Sequence, residues 1–189
     1  PSVSFIVDEF DFSGLAAAGL IFDTKQLEVY RGPQATLYGT GALAGAVKLS
    51  SNDVGSDAPD YVEARIGNKE SYRIEGATGD DINTDWGYRV ALVHNRSDGF
   101  VENTFLNRSD TANIDETALR FAVEGSVDER TTVALTYRWY DIDNGYDAFS
   151  LDKDNKTLSD EPGFDEHQTH AVSARSTTHT AAGDFILIA

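Results

Sequence analysis

The sequence contains no cysteine, so a disulfide framework and thiolate-ligated metal centres are excluded, and the redox state of its compartment leaves no mark. Basic residues are scarce: 15 Lys and Arg stand against 32 Asp and Glu, for a formal net charge of -17. A nucleic-acid surface needs a patch of cations to displace the counterions of the phosphate backbone, and the sequence offers none. No apolar run approaches the roughly 20 residues that a helix needs to cross a bilayer. The chain does not open like a secretory leader either, since Pro1-Ser2-Val3 lacks a basic start and an apolar core. At the other end, Gly183-Asp184-Phe185-Ile186-Leu187-Ile188-Ala189 reads as a strand stopped in mid-run, so both ends are read as cuts through a longer chain.

What is present follows two grammars. Residues 1–58 are rich in Gly and Ala and carry short strand-like runs at 3–7, 27–30 and 46–49. A small-residue stretch, 14–19, separates the first two runs, and the Gly-rich segment 39–45 suits close packing against a neighbour. A compact α+β unit is expected here, followed by a linker over residues 52–59.

From Asp60 onward, apolar and polar residues alternate with a period of two, in five runs at 61–67, 72–78, 86–95, 118–127 and 132–140. One face carries Val62, Ala64, Ile66, Tyr72, Ile74, Gly76, Trp86, Tyr88, Val90 and Leu92, continued by Leu119, Phe121, Val123, Gly125, Val127, Val133, Leu135, Tyr137 and Trp139. None of these is charged, whereas the intervening positions hold Glu63, Arg65, Arg73, Glu75, Arg89, Arg120, Glu124 and Arg138. Two architectures sort charge this way: a soluble sandwich with the apolar face inward, and an outer-membrane barrel with that face toward lipid. A charge facing lipid costs ~2–4 kcal/mol near the midplane, so either environment enforces the rule.

Two features favour the barrel. Trp86 and Tyr88 open one run while Tyr137 and Trp139 close another, matching the aromatic girdles at the two membrane interfaces. Connections also alternate, short at 79–85 and 128–130 and long at 97–116 and 144–165, with the tight turn at 67–71 as the exception.

Residues Phe22 to Ser51 read FDTKQLEVYRGPQATLYGTGALAGAVKLSS. This segment resembles the late plug segment of TonB-dependent outer-membrane receptors: an apolar strand, Arg-Gly-Pro-Gln, a small residue, Thr-Leu-Tyr-Gly, then a Gly/Ala-rich stretch entering another strand. Upstream, Pro1-Ser2-Val3-Ser4-Phe5-Ile6-Val7-Asp8 is similar to the family's strand ending in valine-aspartate, and residues 62–67 with 72–76 resemble its first barrel hairpin. The resemblance implies a mainly β fold, with the C-terminal part of a plug domain over 1–58. Residues 59–189 would then be about six or seven antiparallel strands of a barrel of ~22.

It also implies a function: energised uptake of a scarce ligand, most commonly a ferric siderophore, sometimes haem, cobalamin or a glycan. Its partners would be the TonB energy-coupling complex and outer-membrane lipid, its location the outer membrane of a Gram-negative bacterium, and it would carry no resident cofactor. By resemblance, Glu28, Arg31, Gly32, Pro33, Tyr38 and Gly39 form the plug motif that meets the barrel wall. Arg31 would pair with carboxylates on later strands. Gln26 departs from the family pattern, which often has a second arginine there. The alternative is a soluble β-sandwich binding module of adhesin or carbohydrate-binding type.

Other motifs carry less. Gly39-Thr40-Gly41-Ala42-Leu43-Ala44 fits a dinucleotide fingerprint by letter, but it leads into a strand rather than the helix that would receive a pyrophosphate. His167 and His170, with Glu166 and His179 nearby, have metal-like spacing on a helix and point to opposite faces on the strand expected here. The acid-rich stretch 141–166, opposed only by Lys153 and Lys156, is expected to be a solvated extracellular loop, with cation binding as the lesser reading. No nucleophile stands in a spacing that aligns it with a base, so an enzyme is not expected.

Overall fold

The computed structural model describes residues 3–14, 20–39, 41–152 and 154–189, except for the side chains of Leu37 and Tyr38. Residues 15–19 of the small-residue stretch, Thr40 of the Gly-rich segment and Lys153 of the acidic stretch lie outside the described residues.

The first part of the chain forms β1 (Val3–Val7), β2 (Phe10–Asp11), β3 (Thr24–Arg31), one helical turn α1 (Ala35–Tyr38) and β4 (Gly45–Ser51). These strands make a mixed four-stranded sheet in the order β2-β1-β4-β3, with β1 and β4 parallel at its centre. Parallel neighbours cannot be joined by a hairpin, and the chain between them supplies the long crossover they need.

The second part forms β5 (Tyr61–Ile66), β6 (Tyr72–Asp81), β7 (Trp86–Ser97), β8 (Glu102–Asn103), β9 (Ile114–Ser126), β10 (Thr131–Tyr146), β11 (Lys156–Thr157), β12 (Gly163–Thr180) and β13 (Gly183–Ile188). Seven of these make an antiparallel meander in the order β5-β6-β7-β9-β10-β12-β13, an open wall that does not close on itself. The other two, β8 and β11, are a short parallel pair that ties together the two long connections.

The alternation decides which side of the wall is covered. Val62 and Ile66 are 86% and 89% exposed, and Ile74, Leu92, Leu135 and Val172 on the same side are exposed as well. The four-stranded sheet lies against the opposite, charge-bearing side. There Val7, Phe12, Leu20, Phe22 and Leu49 pack on Ala77, Ala91, Val93, Ala118, Tyr140 and Ile142. A sandwich built on the apolar face would have the reverse layering, with Val62 and Leu135 under a second sheet. Half of the wall residues in that core are alanines, whose short side chains permit the close approach of the small sheet.

The strands run further than the alternation suggested. β10 continues through Asp141, Ile142, Asp143 and Asn144 to Tyr146, so Tyr137 and Trp139 form a belt part-way along the strand rather than at its end. β12 already includes Asp165 and Glu166, which pair with Asn144 and Asp143. Much of the acidic stretch is therefore strand. Charge alone reads as loop, yet Ile142, 2% exposed, keeps the two-residue period going and is anchored in the core.

Candidate functional site

The seam between the small sheet and the wall is held by buried charge. Arg89 on β7, Arg120 on β9 and Arg138 on β10 all point toward the small sheet, and each is at most 5% exposed. Arg120 and Arg138 are direct cross-strand partners. Like charges so placed repel each other, and the repulsion is severe without water. Two carboxylates of the small sheet answer them.

Asp23, just ahead of β3, is the main hub. Its carboxylate receives two parallel bonds from Arg89, Nε to Oδ2 at 2.9 Å and Nη2 to Oδ1 at 2.6 Å, a fork geometry among the stronger charge-assisted arrangements. Arg120 Nη1 donates to the same Oδ2 at 3.2 Å, and Asn52 Nδ2 to Oδ1 at 2.8 Å. The Asp23 backbone N–H donates to the Tyr61 hydroxyl at 3.1 Å, which fixes the hub to the first strand of the wall. Asp8, just after β1, is the second hub. It accepts from Arg138, from the Ser51 N–H at 2.8 Å and from the Ser51 hydroxyl at 2.9 Å.

Both aspartates have left-handed backbone, with φ of 48° at Asp23 and 54° at Asp8. Asp tolerates that region better than most residues, and local strain of this kind persists only where surrounding contacts fix it. Burial by itself pushes the Asp8 carboxyl up. The Arg138 charge, the Ser51 N–H and Arg120 outweigh it and hold the group below the usual carboxylate range. Two carboxylates serve three guanidinium groups, and Nε of Arg120 and of Arg138 has no hydrogen-bond partner among the described residues. Arg120 also lines a polar cavity of ≈ 250 Å³ in the seam, together with Asp8, Lys48, Glu124 and Arg175. At its rim Arg175 on β12 bonds Glu9 at 3.1 Å.

A second buried carboxylate cluster lies beyond the wall. Asp147, in the connection after β10, is 4% exposed and accepts from Asn103 Nδ2 at 2.9 Å, Thr111 Oγ1 at 2.8 Å and Thr157 Oγ1 at 2.7 Å. Asn103 also donates to the Ser159 carbonyl at 2.8 Å. At Asp147 the acidic stretch is tied into a structural knot, while Asp152, Asp154, Asp160 and Glu161 beside it are exposed as a solvated stretch requires. Burial raises the Asp147 carboxyl, while the hydrogen bonds from Thr157, Thr111 and Asn103 bring it below its ordinary value. His167 and His170 both lie on β12, opposite Ile142 and Trp139, and so face opposite sides of the wall. Among the described residues no group of three or more His, Asp or Glu side chains is placed to hold a metal ion.

No family model matches the sequence. Pesticin receptors from Yersinia pestis and Yersinia enterocolitica are 30% identical to it over 73 residues, which is 39% of this chain and 11% of theirs. Among solved structures, the ferric yersiniabactin uptake receptor FyuA of Yersinia pestis superposes with a TM-score of 0.76 at 19% identity, covering 96% of this chain and 30% of its own. The siderophore receptor PirA of Acinetobacter baumannii gives 0.73 at 16% identity, with 99% and 31% covered. The ferripyoverdine receptor of the outer membrane of Pseudomonas aeruginosa gives 0.71 at 16%, with 98% and 27% covered. The fold is that of the TonB-dependent receptors.

By the resemblance read from the sequence, the small sheet would correspond to plug and the seven strands to a stretch of barrel wall. The motif residues marked by resemblance lie on and just after β3 of the small sheet. Glu28 and Arg31 are on β3, where Glu28 accepts from the Tyr30 hydroxyl at 3.0 Å and Arg31 is exposed, with no ion pair among the described residues. Gly32 and Gly39 have φ of 86° and 80°, conformations that favour glycine and bracket the helical turn after Pro33. Tyr38 ends that turn, and its side chain lies outside the described residues. The residues that join the small sheet to the wall, Asp8 and Asp23 with Arg89, Arg120 and Arg138, were not singled out as a site in the sequence. A signal was there: arginines at inward positions of the wall strands, and an aspartate directly after β1 and directly before β3.

Proposed function

We propose that the chain is part of a TonB-dependent outer-membrane receptor that imports a ferric siderophore or related iron chelate. Residues 1–58 would be the end of its plug and 59–189 its first barrel strands. The chain spans about a third or less of the receptors it superposes on, so transport belongs to the whole protein. The observation that carries the reading is the layering: an apolar face left open on one side of the wall, and a small sheet held by buried arginine–aspartate contacts on the other. The open face fits hydrocarbon. The polar seam suits a plug that must seal a lumen and still rearrange, because guanidinium–carboxylate contacts can be exchanged for water. Ligand outside and the TonB complex inside are the partners this reading requires. Glu28, Arg31, Gly32, Pro33, Tyr38 and Gly39 are proposed to meet barrel strands beyond Ala189.

The test is uptake of radioactive iron by an iron-starved Gram-negative host expressing the full-length receptor. Ferric yersiniabactin and ferric pyoverdine are the first chelates to offer. Uptake that needs both the receptor and the proton gradient supports the reading. A receptor correctly inserted in the outer membrane that supports growth on no phenolate, catecholate or hydroxamate chelate would reject iron as its cargo.

A further inference from the structure

Plug and wall are joined in a second way, different in kind from the arginine seam. Gly79 and Gly87 are diagonal neighbours on the inner face of β6 and β7, and together they leave a hollow in the wall. The backbone at Gly55 lies in it. A β-carbon on Gly87 would stand 2.9 Å from Gly55 Cα, and one on Gly79 would stand 3.2 Å from the Gly55 carbonyl oxygen. Gly55 has a φ of 92°, and a side chain there would meet the Asp81 carboxylate at 2.6 Å.

Bonds to the wall continue along the chain from this point. The Gly55 N–H donates to the Tyr88 carbonyl at 3.3 Å. Ser56 donates to Asp81 from its N–H at 3.3 Å and from its hydroxyl at 2.6 Å. Arg89 donates to the carbonyls of Ala58 and Pro59 at 3.3 and 3.2 Å, and the Gly79 N–H donates to Asp60 Oδ1 at 3.0 Å. On the plug side, the Asn52 N–H is bonded to the Asp23 carbonyl at 3.0 Å. Between the two anchors, Asp53 and Val54 make no backbone–backbone hydrogen bond among the described residues.

We propose that residues 55–60 are a fixed strap that stays on the barrel wall when the plug rearranges, and that the plug turns about Asp53 and Val54. This rests on the transport reading above. The seam consists of long side chains that can swing away and be solvated again. At Gly55 the strap is backbone seated on backbone, with no side chain to move aside, and from Ser56 to Asp60 it is bonded to two wall strands through the side chains of Ser56, Asp81, Arg89 and Asp60.

The test draws on the N-terminal end of the plug by force spectroscopy, with the full-length receptor held in a bilayer. Extension of the plug is expected to end at Val54. The strap then leaves the wall in a separate, higher-force step of about 20 Å, six residues at ~3.4 Å each. Gly87→Val fills the hollow and is expected to abolish that step, with barrel integrity read from the heat-dependent gel shift. Asp81→Ala, which removes only the Ser56 bonds, is expected to keep the step at lower force, so the idea stays testable if the valine variant fails to assemble. Extension of residues 55–60 together with the plug in the native receptor would overturn the strap, as would an unchanged step in both variants. If no plug event precedes unravelling of the barrel, the plug assignment itself fails and takes the strap with it.

Discussion

On β9, Leu119 and Phe121 point away from the plug, while Ala118, Arg120 and Ala122 point toward it. The two faces of this one strand differ less in polarity than in what they tolerate. On the proposed reading the outward face needs only to be apolar, because lipid chains would adapt to any side-chain shape. The inward face needs particular groups at particular places: alanine where the plug packs closely, and arginine where a plug carboxylate waits. The outward face should therefore answer to charge and depth, and the inward face to the identity of single residues.

The sharpest way to break the inward face is Asp23→Asn. The change leaves Arg89 without its forked partner and Arg120 without its carboxylate, in a site where Asp23 is fully buried. Removing one member of a buried ion pair costs ~3–5 kcal/mol, most of it from the stranded charge. The plug should unfold at lower denaturant while the barrel's heat-dependent gel shift stays in place, and planar-bilayer recordings should show open events. A plug as stable as the parent's would show that the seam holds nothing.

Leu135→Arg tests the outward face. Leu135 lies on the outward face of β10 between the turn at 127–130 and the Tyr137–Trp139 belt, and it is 48% exposed. A cost of ~2–4 kcal/mol is expected there, and ~0–1 kcal/mol for the same change at Val133, nearer the rim. Folding titrations into lipid vesicles would measure both. Equal costs at the two depths would mean that this face does not meet a bilayer.

Asp8→Asn is expected to cost less than Asp23→Asn, because Arg138 keeps bonds to Ser51 and Tyr140; loss of a charged hydrogen bond is worth ~1.5–3 kcal/mol. Its signature is pH dependence. Asp8 titrates lower in the folded protein than in the unfolded chain, so its contribution is complete above the ordinary carboxylate range and disappears as pH falls through the lowered value. The variant should lose that part of the acid-side decline in plug stability. An identical acid limb in parent and variant would show that Asp8 is not held as described.

The comparison of faces also explains what could be read from the residues alone. Strict alternation located the wall strands and sorted their two sides, since a strand exposes every second residue to one environment. It did not say which side is covered, because a sandwich and a barrel produce the same string. The plug segment was legible through the run from Phe22 to Ser51, but its contacts were not. Arg89 and Arg120 lie 66 and 97 residues from Asp23, and Arg138 lies 130 from Asp8, and no local pattern links residues so far apart. The end of β10 and the start of β12 were missed because closely spaced acids look like loop even when they sit in a paired strand.

The smallest expected effect lies where neither face applies. The Asp147 carboxylate binds Asn103, Thr111 and Thr157 through one oxygen, joining the connection after β7 to the connection after β10. In Asp147→Asn the amide oxygen can take the place of that one oxygen and keep all three bonds, with the nitrogen where the other carboxylate oxygen stood. The charge is lost, however, so each of the three bonds is weaker. A loss of about 1–2 kcal/mol follows from weakening those bonds, confined to the two connections because the knot touches neither the plug nor the membrane belt. Hydrogen exchange should quicken at the Thr104 amide, which donates to the Thr157 carbonyl, and at the Asn103 amide, which donates to the Arg108 carbonyl. Exchange across β9 and β10 should be unchanged. Faster exchange spreading into those strands would make the knot part of the wall's stability, and the two long connections could no longer be treated as a unit built on top of it.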